Sequence, residues 1–221
     1  MKTLFTMNRK RDVVLSIVLT LFIISFAVCI TVFFKQLYYF DIHYLDLPTK
    51  TGLSYETIKH NYDVLIEYQS LFFNGPLELP DFPMSQTGRI HFDEVKNIFV
   101  VIQVICIISG LVSLVMVYQN IKQKEYRYLR LTSILCIGIP TVIGFLASID
   151  FNKAFIIFHK IFFRNDYWIF DMTTDPIITI LPERYFMHCF MMIVFIIILM
   201  SWFLYMIYRK KQNMILKEFS K

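Results

Sequence analysis

Apolar residues in this chain fall into long unbroken stretches separated by polar segments. Four stretches, 13–34, 98–118, 131–149 and 189–208, carry no Asp, Glu, Lys, Arg or His and are 22, 21, 19 and 20 residues long. A hydrocarbon core of about 30 Å needs roughly 20 helical residues to cross it. Lipid offers the backbone no hydrogen-bond partner, so each stretch is expected to be an α-helix. The polar segments 35–97 and 150–188 read differently. Residues 36–50 alternate loosely and are rich in Tyr, which predicts extended chain or a short strand. Ser54 suits the N-cap of a helix from about 55 to 71, with Ile58, Tyr62, Leu65, Ile66 and Gln69 on one stripe. Leu77, Leu79 and Phe82 read as a short strand interrupted by Pro80 and Pro83, and Thr87 as the cap of a helix running into the second stretch. Residues 150–163 keep a helical period and continue the third stretch. Residues 167–170 read as extended and 171–176 as a turn.

The fold class expected is therefore a membrane protein, mainly α, with four transmembrane helices and a small extracellular α/β cap built from two loops. Residues 1–34 would form the cytoplasmic N-terminus and first span, and 35–97 the first extracellular loop. Residues 98–149 would form the second span, a short cytoplasmic loop and the third span. Residues 150–188 would be the second extracellular loop, and 189–221 the fourth span and cytoplasmic tail.

Composition agrees with lipid as the solvent. The chain has 221 residues, 57% hydrophobic and only 18% charged, against 45–50% apolar and about 25% charged in soluble domains. Charge placement sets the orientation. The segments 1–12, 119–130 and 209–221 hold 13 Lys/Arg in 37 positions. The segments 35–97 and 150–188 hold nine in 102 positions, with 14 Asp/Glu. The excess of positive charge faces the cytoplasm, which puts both termini inside and the two long loops outside the cell membrane. The basic start followed by an apolar run resembles a secretory signal, but the run is too long and lacks a small-x-small cleavage site. It reads as an uncleaved anchor. The basic residues flank the spans and form no face with interleaved aromatics, which excludes nucleic acid as a partner.

All five histidines fall in the two loops. His91 shares a helix face with Val95, Ile98, Ile102 and Ile105, about 10 Å outside Ile98 at lipid-headgroup level. His159 sits beside Phe155, Phe162 and Phe163, where desolvation would keep its ring neutral. Each is either a buried structural histidine or a general base, and if adjacent they would form a dyad. Arg89 and Arg164 would bind a phosphate or polarise a carbonyl, or else anchor at headgroup level. Asp166 and Asp171 would orient a histidine or hold a positive substrate, or else cap turns. Tyr167 lies near them. Cys189 adjoins His188, but neighbours in a helix point to different faces, which disfavours it as a nucleophile. Metal-binding, phosphate-loop and nucleophile-elbow motifs are absent. The histidine spacings are too irregular to favour a metal.

The stretch 88–96 (Gly-Arg-Ile-His-Phe-Asp-Glu-Val-Lys), the stretch 165–171 (Asn-Asp-Tyr-Trp-Ile-Phe-Asp), Asp175-Pro176-Ile177-Ile178 and Leu181-Pro182-Glu183 resemble the lipoprotein intramolecular transacylase family of Gram-positive bacteria. The resemblance implies an acyltransferase acting on diacylated bacterial lipoproteins at the membrane. The sn-2 acyl chain of the diacylglyceryl group would move to the α-amino group of the N-terminal Cys, giving a lyso-form lipoprotein. It implies His91 and His159 as the catalytic pair, and no cofactor or metal. The competing readings are a non-catalytic lipoprotein-binding or assembly subunit and a metal-dependent membrane hydrolase.

The orientation has a direct test. In intact cells, Glu78→Cys should react with an impermeant thiol reagent above the parent's background, and Gln123→Cys should not. The reverse pattern would turn the chain over in the membrane.

Overall fold

The computed structural model describes residues 2–219 and is mainly helical, with no strand among those residues. The helices are α1 (Lys2–Phe33), α2 (Lys35–Tyr44), α3 (Leu47–Thr51), α4 (Tyr55–Tyr68), α5 (Gln86–Lys122), α6 (Arg127–Ile149), α7 (Phe151–Phe162) and α8 (Glu183–Phe219). A 3-10 turn covers Pro176–Ile180. Three helical stretches are long and apolar enough to cross a membrane: Arg9–Phe33, Gln86–Lys122 and Glu183–Lys217. The remaining uncharged stretch, 131–149, lies inside α6.

The chain divides into two compact units. One comprises residues up to 28, residues 104–145 and those from 193 on. Leu15, Leu19, Ile23 and Ala27 recur every four residues along α1 and are buried with Leu129, Cys136 and Ile197. Polar contacts link helices inside this unit. Asn120 Nδ2 donates to Asp12 Oδ1 at 2.9 Å, and Ser201 Oγ donates to the Ser133 carbonyl at 2.8 Å. Small and polar contacts of this kind hold helices together where lipid is as apolar as leucine. The outward sides carry Ile108, Leu111, Leu114, Phe195, Trp202 and Phe203, each at least 57% exposed. Apolar surface on this scale requires lipid contact.

The second unit comprises residues 29–103 and 146–192. Its core is aromatic. Tyr38 and Tyr62 stack with ring centroids 3.6 Å apart. The Tyr38 hydroxyl donates to the Ile180 carbonyl at 2.6 Å, and the Tyr62 and Tyr185 hydroxyls are hydrogen-bonded at 2.6 Å. Asp41 is fully buried and accepts from His188 Nδ1 at 2.8 Å. Helix α4 follows its sequence: Ser54 Oγ accepts from Thr57 N at 3.0 Å, and Ile58, Tyr62, Leu65, Ile66 and Gln69 are all buried.

The cap is not α/β: where strands were expected, 36–50 is α2 and α3, and 77–83 is coil without a partner strand. Tyr and Phe favour strands only when a pleated neighbour is available. Here Tyr38, Ile42 and Leu45, spaced four and three apart, bury one helical face instead. Two boundaries also move. Helix α5 begins at Gln86, capped by Ser85, whose Oγ accepts from Gly88 N at 2.9 Å, so Thr87 is not its cap. The helix through 150–163 does not continue α6. Asp150 turns to an extended conformation, φ −158°, and accepts from Lys153 N at 3.0 Å, starting α7 afresh.

Asp175 ties the start of α5 to the second loop. It is 2% exposed and its Oδ1 accepts from Ser85 N at 2.7 Å. A carboxylate there also suits the positive end of a long helix. A Cβ on Gly88 would lie 2.2 Å from that oxygen. Gly88→Ala must therefore expel the carboxylate, at a cost of about 1–3 kcal/mol by overpacking. In detergent it should lower the melting temperature clearly, while Gly138→Ala, with nothing within 4 Å of the added carbon, should not.

Candidate active site

The first turns of α5, helix α7 and the segment 163–170 bring His91 and His159 together. Helix α5 has 37 residues, about 55 Å at 1.5 Å per residue, so it outruns a hydrocarbon core of about 30 Å. Its first twelve residues, which carry Arg89, Asp93, Glu94 and Lys96, precede the uncharged stretch 98–118. His91 lies in that part of the helix. His159 lies near the end of the short helix α7.

Their ring centroids are 6.1 Å apart. His91 is 5% and His159 8% exposed. Aromatic rings surround both. Phe163 touches each histidine, at 4.7 Å from His91 and 5.6 Å from His159. Phe170 lies 5.4 Å from His91. Phe155 and Trp168 lie 4.2 Å and 4.7 Å from His159.

This environment fixes protonation. His159 Nδ1 is 2.7 Å from the Phe155 carbonyl oxygen. A carbonyl only accepts, so Nδ1 carries the hydrogen and donates. In the neutral ring Nε2 then holds a lone pair. Burial pulls the His159 pKa below the usual histidine value, while the bond to Phe155 works the other way. Burial, and then the neighbouring His159, push His91 down to about 4. Both rings are therefore neutral near pH 7, and a proton taken by one discourages a proton on the other. His91 Nδ1 is buried and has no hydrogen-bond partner. The arrangement offers one oriented proton acceptor beside a second neutral imidazole within an aromatic enclosure, a setting suited to general acid–base chemistry.

The other residues singled out by sequence lie elsewhere. Arg89 is two residues from His91, on a different side of α5. Its Nη1 donates to the Leu77 carbonyl at 3.0 Å. It lines a separate cavity of about 380 Å³ with Tyr68, Asp93 and Lys96. Arg164, Asp166 and Tyr167 are exposed. Asp171 closes a turn, accepting from Thr173 N at 2.8 Å and from its hydroxyl at 2.7 Å. Cys189 is half-buried against the aromatic core of its unit. Among the described residues no group of three or more His, Cys, Asp or Glu is arranged to hold a metal.

Two residues that sequence reasoning left unassigned carry buried polar atoms without partners, Trp168 against His159 and Glu94 one turn after His91. Trp168 Nε1 is buried without a partner, although an indole N–H can only donate. Glu94, one turn after His91, accepts from Asn165 Nδ2 at 2.8 Å through Oε1, and its Oε2 is buried without a partner. Both stand in the quoted motifs, but nothing in sequence marks a polar atom as unsatisfied.

Comparison with known proteins bears on this site. The family model described as lipoprotein intramolecular transacylase Lit matches residues 13–186. The chain is similar to the membrane-integral lipoprotein intramolecular transacylase Lit from Bacillus cereus, solved in meso. Identity is 39% over 94% of this chain and 97% of that one, with a TM-score of 0.92. Two further structures of the Bacillus cereus protein carry a substitution of one histidine. The Arg variant is 38% identical over 100% of this chain and 97% of that one, TM-score 0.89. The Ala variant is 39% identical over 97% and 100%, TM-score 0.87. A search of curated proteins finds no match. With a family match across most of its length and a membrane-integral relative of the same architecture, this multi-pass membrane protein belongs to the lipoprotein intramolecular transacylase family of acyltransferases.

Proposed function

We propose that this protein moves the sn-2 acyl chain of a diacylglyceryl-modified lipoprotein to the α-amino group of the same N-terminal cysteine, with His159 as the proton acceptor and His91 as its partner. The observation that carries the reading is the neutral, oriented His159 ring 6.1 Å from His91 inside an aromatic enclosure. The stretch 131–149 serves as a fourth span, both termini face the cytoplasm, and the histidines work at the extracellular surface.

Nucleophile and ester belong to one substrate molecule, so holding them together replaces a bimolecular encounter. The neutral amine attacks the ester carbonyl. The carbon–nitrogen bond forms and the tetrahedral carbon develops an oxyanion. His159 Nε2 takes the proton from the attacking nitrogen. As the carbon–oxygen bond to glycerol breaks, the proton passes to that oxygen, leaving an amide and a glyceryl hydroxyl. His91 donates to the oxyanion or relays the proton. Trp168 Nε1–H is a better placed oxyanion donor than Arg89 or Arg164, since it lies against His159 and they do not. Ile157, Phe158, Ile161 and Phe162 of α7 are 45–69% exposed, an apolar approach for acyl chains beside the pair. No thiol takes part.

His91→Ala and His159→Ala should each abolish lyso-form product, read by mass spectrometry of a lipoprotein's N-terminal peptide, with protein levels in the membrane unchanged. A variant with Cys29, Cys106, Cys136 and Cys189 all replaced by Ala should keep turnover within a few-fold of the parent. Near-normal activity in either histidine variant would return that residue to a structural role. Loss of activity in a folded Cys-free protein would revive a covalent route.

The neutral pair also sets a pH dependence of stability. Both folded-state values lie below the ordinary histidine value near 6.5, so below that pH the unfolded chain binds protons more readily. The melting temperature should hold above about pH 7 and fall as pH drops from 6.5 towards 4. His91→Phe should flatten this fall. An unchanged slope in that variant would mean that His91 is not buried in its neutral form.

A further inference from the structure

Glu94 is a carboxylate that the proton transfers above do not use. It follows His91 by three residues on α5, so the two side chains are neighbours on one helix face. Its Oε1 is fixed by Asn165 Nδ2 at 2.8 Å. Asn165 lies two residues beyond Phe163, whose ring touches both histidines. Oε2 is buried and makes no hydrogen bond. A buried carboxylate oxygen left alone is costly, and a charged donor satisfies it best. Phe163, Phe170 and Trp168 surround the two histidines, the first of which lies one turn before Glu94, and aromatic faces attract cations. The two cations that flank Glu94 on α5 are engaged elsewhere: Lys96 Nζ donates to the Phe73 carbonyl at 3.1 Å, over the Tyr68 ring, and Arg89 to Leu77. The local chemistry asks for a small cation from outside.

We propose that Glu94, braced by Asn165, is the binding site for the substrate's α-ammonium group. This rests on the transacylase reading above, in which the acceptor of the acyl chain is an amine, protonated near neutral pH because its pKa is close to 8. Oε2 accepts one N–H of the ammonium. A second proton is released to bulk water, which leaves a neutral amine whose lone pair is free to attack while Glu94 still holds the nitrogen in place; the nitrogen then gives a further proton to His159 Nε2 as the carbon–nitrogen bond forms. Glu94 remains a carboxylate throughout, and the proton taken by His159 is the one later delivered to the glyceryl oxygen. Specificity follows: the site discriminates a free N-terminus from a blocked one at the binding step, before any chemistry.

The test uses lipopeptides whose two glyceryl chains are ether-linked, so that no acyl group can move. One carries the N-terminal amine and the other has hydrogen in its place. Their dissociation constants are measured for the full-length protein in nanodiscs. The wild type should bind the amine form about tenfold more tightly, the size expected for a charge-assisted hydrogen bond. In Glu94→Gln the ratio should fall to near one, with affinity for the des-amino peptide unchanged. Equal affinities in the wild type, or a wild-type ratio in Glu94→Gln, would overturn the proposal. Should Glu94→Gln fail to fold, Glu94→Asp withdraws the carboxylate by one methylene; there the ratio should drop several-fold, and no drop overturns the proposal. Because ether lipids do not react, the result does not depend on the roles of the histidines. Turnover of ester lipopeptide by His159→Ala would sink the proposed base and leave the ammonium site standing.

Discussion

Ser85 and Asp175 are 90 residues apart in sequence, yet a single carboxylate joins them. Thr174 Oγ1 donates to the other oxygen of that group at 2.7 Å. The contact stops the N-terminus of α5 from fraying, since that end has backbone N–H groups without partners in the helix. It also holds the segment after residue 163 against the first turn of α5, where the Phe170 ring approaches the Gly88 backbone. From that anchor Phe170 stacks on Phe92 at 5.4 Å and meets the His91 ring. His91 is thus held by its own helix on one side and by a loop on the other. Only a residue without a side chain allows the carboxylate to come so close, which gives Gly88 a steric role.

The consequence of that packing is electrostatic. Two imidazoles enclosed by Phe155, Phe163, Phe170 and Trp168 lose the water that would stabilise a charge. A charged site would bind an ester well but would not take a proton from an amine near pH 7. Keeping Arg89, Arg164 and Asp171 outside the enclosure preserves the neutrality on which the proposed chemistry relies. Arg89 is committed to the Leu77 carbonyl and Asp171 to its own turn, and neither is among the groups that shift either histidine. Trp168 Nε1, His91 Nδ1 and Glu94 Oε2 are buried and make no hydrogen bond.

Sequence periodicity read α4 well because its buried stripe and its serine cap agree with helix propensity. It misread α2, where Tyr and Phe suggested strand and only the packing of Tyr38 on Tyr62 decides for helix. It also joined α7 to α6, since the capping value of Asp150 depends on φ and not on residue type. The histidines were legible because each lies on an apolar face, an unusual setting that needs no partner to be noticed. Their pairing came from the family resemblance and not from periodicity, because it depends on a turn at residue 150 that redirects α7. Trp168 and Glu94 escaped for a different reason. Buried tryptophans and helix glutamates are common, and only the three-dimensional count of hydrogen bonds shows that these two lack a partner.

An enzyme that moves an acyl chain between two molecules has to store it, and a nucleophilic side chain is the usual store. An acyl chain moved within one molecule needs no store, because ester and amine meet in a small ring. What the protein then has to supply is narrower: a pocket that keeps water from competing for the ester, and a base that is neutral when the amine arrives. Hydrolysis would be the dominant side reaction in an open site. The aromatic walls serve both needs with the same residues. Phe155 illustrates this economy: its ring desolvates His159 while its backbone carbonyl accepts from Nδ1–H and leaves the Nε2 lone pair free. Replacing that ring would admit water without moving the carbonyl, so exclusion of water and orientation of the base are separable functions of one residue.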